Sequence, residues 1–165
     1  MKTKTFKLSV VIGLMLFSCT TKKDQTQLQA ELTSLNLVRG DIALCGSGED
    51  EFGTVGFGLA CSEKVRKDFN LATAMLHSFE YTGAEKVFAK VIEDDPECVM
   101  AYWGAAMCSF HPLWAPPGEA DLEKGARIVE LGRLIAENKS SPESDYLEAI
   151  ATIYDDWKTL GHKAR

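Results

Sequence analysis

Polar and apolar positions alternate along most of this chain with the period of a helix. Phe69, Ala72, Leu76 and Phe79 recur at i, i+3, i+7 and i+10. That spacing lays them on one face and predicts a helix opening at Ser62, which can serve as its N-cap with Glu63 in the first turn. A break is expected at Tyr81-Thr82-Gly83, followed by a second helix whose face is Val87, Phe88, Val91 and Ile92. Asp95 and Pro96 then read as the cap and first residue of a third helix, since proline lacks only an N–H that would be unpaired there. A fourth is predicted over about 121–137, with Leu122, Ile128, Val129, Leu131 and Ile135 apolar. A fifth starts at Ser140-Ser141-Pro142-Glu143 and carries Tyr146, Leu147, Ile150, Ile153, Tyr154 and Trp157.

The pattern repeats. A shift of 34 residues sets Phe69 on Trp103, Ala72 on Ala106, Leu76 on Phe110 and His77 on His111. Leu71, Ala72, Tyr81, Ala84, Phe88 and Pro96 stand at the mutual offsets of the tetratricopeptide (TPR) consensus, so this stretch resembles a TPR. "FGTVGFGLACS", "FNLATAMLHSFEYTGAEKVFAKVIEDDPECVMAYWGAAM" and "FHPLWAPP" are similar to stretches of a family of exported bacterial TPR proteins. The resemblance implies an all-α, TPR-like α-solenoid of antiparallel helix hairpins. Repeat 1 would span 62–96, repeat 2 97–137 with a Pro-rich insertion, and a partial repeat 3 141–165. The array would then continue beyond residue 165. The family brings no assigned catalytic chemistry and no cofactor.

Upstream the pattern changes. Lys2, Lys4 and Lys7 precede an uncharged apolar stretch, Leu8 to Phe17, too short to span a bilayer. Leu16-Phe17-Ser18-Cys19 resembles a bacterial lipobox. The resemblance implies a signal peptide over 1–18, lipidation of Cys19 and a membrane-anchored lipoprotein of the cell envelope. Residues 19–44 read as a polar tether, with Leu28, Leu32 and Leu35 at helical spacing. Residues 45–61 read as a Gly-rich irregular segment without the spacing of a phosphate loop.

Charge narrows the partners. The formal net charge is −6, and −9 over residues 19–165 once the three leader lysines are removed. Such a chain does not suit nucleic acid. Cys45, Cys61, Cys98 and Cys108 allow disulfides in an oxidising compartment, but their pairing is open, and buried free thiols are an equal reading.

The expected function is a scaffold that holds an unknown protein or peptide in a concave groove. The TPR resemblance places Arg66, Phe69, Thr73, Leu76 and His77 at groove-facing positions of the first repeat. In the second it places Met100, Trp103, Met107, Phe110 and His111 there; Trp114, flanked by prolines, either forms a ligand-contacting lip at the groove's edge or, the preferred reading, plugs the gap between hairpins from a stiff loop. Core packing is the competing reading of Phe69, Leu76, Trp103 and Phe110, and the preferred one for Phe69, Leu76 and Trp103. An envelope ligand-binding protein gripping a glycan or peptide through Trp103 and Trp114 is the alternative. A metal-dependent activity at His77 and His111, with Cys108 as a further ligand, ranks third, since zinc wants three or four ligands. No catalytic motif is present.

Overall fold

A computed structural model describes residues 20–42, 53, 55, 56, 58–111, 115–137 and 141–165. Among these the chain is all-helical. The helices are α1 (Thr20–Ser34), α2 (Glu63–His77), α3 (Tyr81–Asp94), α4 (Val99–Phe110), α5 (Glu119–Ala136) and α6 (Pro142–Tyr154), followed by a short 3₁₀ turn, His162–Ala164. Residues 1–18, expected as a signal peptide, and Cys19, Cys45 and Trp114 lie outside the described residues.

Helices α2, α3, α5 and α6 each hide an apolar stripe against their neighbours, and α4 is buried over most of its surface. Helix α2 packs on α3 and α4, α3 on α4, α4 on α5 and α6, and α5 on α6. Side-chain pairs fix the directions. Lys90 meets Asp68, Lys64 Nζ lies 2.6 Å from Asp94, and the Phe69 and Phe88 rings meet edge to face at 5.7 Å. As the residue number rises on α2 its partner's falls on α3, so the two are antiparallel. Trp103 meets Tyr146 at 6.2 Å, and the Tyr154 hydroxyl donates to the Ala106 carbonyl at 2.5 Å. Here both numbers rise together, so α4 and α6 run parallel. Burial pushes the phenols of Tyr102 and Tyr154 far above their ordinary range, so both remain neutral donors.

Two joints fall elsewhere than the sequence predicts. The α2–α3 break is at Ser78-Phe79-Glu80, before Tyr81, and Phe79 takes the left-handed conformation (φ 64°). Gly83 is inside α3, against the Met75 methyl. Helix α4 does not start at Pro96 but at Val99, with Cys98 as N-cap. The Asp95 carboxylate instead accepts the Ser62 N–H at 2.8 Å, and its carbonyl accepts the Cys98 N–H in a turn. Helix α6 ends at Tyr154, leaving Trp157 beyond it but packed on the core.

The segment expected as a tether is partly docked. Leu32, Leu35 and Leu37 are buried in the core. Glu85 of α3, itself buried, accepts the Val38 N–H at 2.7 Å and pairs with Lys124 of α5. Lys86 donates to the Asp41 carbonyl, and Arg39 pairs with Glu93. These contacts anchor residues 35–42 along α3.

Candidate functional site: the α2–α4–α6 face

Helix α4 has no charged residue. Most of it is buried, and only Trp103, Met107 and Phe110, at i, i+4 and i+7, are half-exposed. They form a single stripe along the helix. Parallel α6 continues it with Tyr146, 45% exposed, whose ring meets Trp103 edge-on, and with half-buried Ile153. Half-buried Trp157 lies just beyond α6, with Lys158 Nζ 5.3 Å from its ring centre. The result is an aromatic and thioether wall shared by two helices, a surface able to grip apolar side chains.

Helix α2 borders this wall with polar groups. Arg66 is held by Glu63 one turn earlier, Nε to Oε2 at 2.8 Å and Nη2 to Oε1 at 2.5 Å. The pair lowers the Glu63 pKa and raises that of Arg66, but both groups are in water, so it adds little stability. One turn on, the Asn70 side-chain oxygen is buried without a hydrogen-bond partner. His77 ends the helix, exposed.

Several sequence-predicted positions do not reach this surface. Thr73 is 3% exposed and Met100 0%, so neither can present its side chain to a partner. The Thr73 hydroxyl bonds to the Phe69 carbonyl of its own helix at 2.9 Å, and Met100 is core filling. Phe69 and Leu76 are core as well. Arg66, His77, Trp103, Met107 and His111 keep some exposure. The face also gains residues the sequence reading assigned to a core stripe or passed over, namely Tyr146, Ile153 and Asn70. Their signal was present, since Asn70 follows Arg66 by four residues and Tyr146 and Ile153 lie seven apart. Which flank of a helix stays open is decided by its neighbours.

The two histidines are engaged differently. His111 caps α4 with φ 26°, places Nε2 3.4 Å from the Asp121 carboxylate and sets its ring 6.1 Å from that of Tyr81. Cys108 is buried, and desolvation, with Glu85 adding to it, pushes its thiol well above the ordinary range. Among the described residues no group of three His, Cys, Asp or Glu side chains is placed to hold a metal ion.

The open cysteine question resolves at this site's edge. Cys61 and Cys98 form a disulfide with their Cα atoms 4.8 Å apart, joining the approach to α2 to the N-cap of α4. Beside it the Ala60 N–H donates to buried Glu143 at the start of α6. Residues 60–62 are thus tied to the N-terminal ends of α4 and α6. The chain matches no protein-family profile, no curated protein and no solved structure.

Proposed function

We propose that the protein is an exported, lipid-anchored scaffold, built of TPR-like helical hairpins, that presents the α2–α4–α6 face to a segment of another protein. The observation that carries this reading is the half-exposed stripe Trp103–Met107–Phe110 on a helix without charges, extended by Tyr146. Half-exposed aromatics and methionines beside polar residues are typical of surfaces that bind proteins. The packing supports a solenoid of hairpins, since α2, α4 and α6 each touch the next while α3 and α5 fill the other layer.

The disulfide favours an oxidising compartment, in keeping with export. Helix α1 begins at Thr20. A lipidated Cys19 would therefore join the body through a helix of 15 residues, about 22 Å long. We expect Cys19→Ala to move the protein from the membrane fraction to the soluble one, or to leave it unprocessed. Normal processing and retention in the membrane would refute the anchor.

For the scaffold, the test is a pull-down from detergent-solubilised membranes. A stoichiometric protein partner, lost on Trp103→Ala, is the expected result. The half-exposed Trp103 ring also favours the glycan- or peptide-ligand alternative. Absence of a protein partner, with glycan binding that depends on Trp103 and Trp114, would establish that reading instead.

A further inference from the structure

The charges beside the wall narrow the class of partner. Helix α6 and the two residues after it carry five acids, Glu143, Glu148, Asp145, Asp155 and Asp156, and no base. Three are committed within the fold. Glu143 holds the Ala60 N–H, and Glu148 and Asp155 share the Arg133 guanidinium. Asp145 and Asp156 are exposed and have no ion pair among the described residues. Each immediately precedes an aromatic residue of the wall, Tyr146 and Trp157.

Carboxylates without an ion pair, on the helix that also carries Tyr146 and leads into Trp157, give this end of the molecule a field that attracts cations, and aromatic ring faces attract them too. The chain already does this to itself, with Lys158 over Trp157. The Trp103–Met107–Phe110 stripe has no hydrogen-bonding side chain apart from the indole N–H.

Resting on the scaffold reading, we propose that the wall takes a cationic amphipathic segment of another protein. Its apolar residues sit on Trp103, Met107 and Tyr146, and its Lys or Arg side chains sit beside Asp145 and Asp156.

Two synthetic helical peptides of roughly 18 residues, one Leu/Lys and one Leu/Glu in the same pattern, are titrated into the full exported chain by calorimetry. The Leu/Lys peptide is expected to bind at least about tenfold more tightly, with the preference falling as salt rises from about 50 to about 500 mM. Trp103→Ala is expected to weaken it about tenfold. Asp145→Lys with Asp156→Lys, both exposed, is expected to weaken it about fivefold with the melting temperature unchanged. Equal binding of both peptides, binding of neither, or indifference to the double charge reversal overturns the proposal. A pull-down partner lost on Trp103→Ala but kept by the double reversal would leave the scaffold standing and remove only the cationic class.

Discussion

At the scale of single residues, two close contacts show how little room this array leaves. The Phe88 ring lies against Gly104, and the Tyr154 ring against Gly125. A methyl group at either position would overlap the ring, and the rings are buried with nowhere to retreat. Gly104→Ala is therefore expected to destabilise the fold by about 2 kcal/mol through overpacking, although alanine is the better helix former. Urea unfolding of wild type and variant checks this, and an equal or higher midpoint for the variant would show that Phe88 can move aside. The sequence reading set Phe88 on the apolar face of a helix and did not single out Gly104. It could not assign the glycine's purpose, because only the approach of α3 to α4 puts an aromatic ring there. Thr73 and Met100 failed as surface positions for the same reason.

Between elements, the α5–α6 pair is held at its surface by Arg133. Its guanidinium meets Glu148, Nε to Oε1 at 2.9 Å and Nη2 to Oε2 at 2.7 Å, and Asp155, Nη1 to Oδ1 at 3.0 Å. The hydrogen bonds from Arg133 hold both carboxyls below their ordinary pKa. A carboxyl with a depressed folded pKa contributes stability that is present above its unfolded value, about 4, and is lost as pH falls through the folded value. Arg133→Met is thus expected to cost about 1 kcal/mol near neutral pH, a figure held down because all three groups are partly solvated. The difference from wild type should shrink steadily as pH drops below about 4 and as salt rises. Melting curves across pH and salt test this, and a penalty constant with pH would mean that the arginine acts by packing alone. The existence of these helices was legible in the periodicity of residues 121–137 and 142–157. The bridge was not, because Arg133, Glu148 and Asp155 are ordinary solvent-facing positions until the two helices are set antiparallel.

For the whole molecule, the Cys61–Cys98 disulfide closes a loop with a sequence separation of 37 that contains all of α2 and α3. Restricting the unfolded chain over such a loop stabilises the fold by about 4 kcal/mol in the chain-entropy description. The variant with both Cys61→Ser and Cys98→Ser is expected to melt many degrees lower in non-reducing buffer. Added reductant should lower the wild-type transition toward that of the variant while leaving the variant's own unchanged. A wild-type transition indifferent to reductant would place the stabilisation elsewhere. By itself the sequence determined that the described residues are helical and roughly where five of the helices run, because burying one face of each helix imposes a local period that can be counted. Only the tertiary structure decided which cysteines pair, which half of each stripe is core and which forms the exposed wall, and that residues 32–42 belong to the body. Those outcomes depend on contacts between residues far apart in the chain, and no local pattern encodes which neighbour will cover a given side chain.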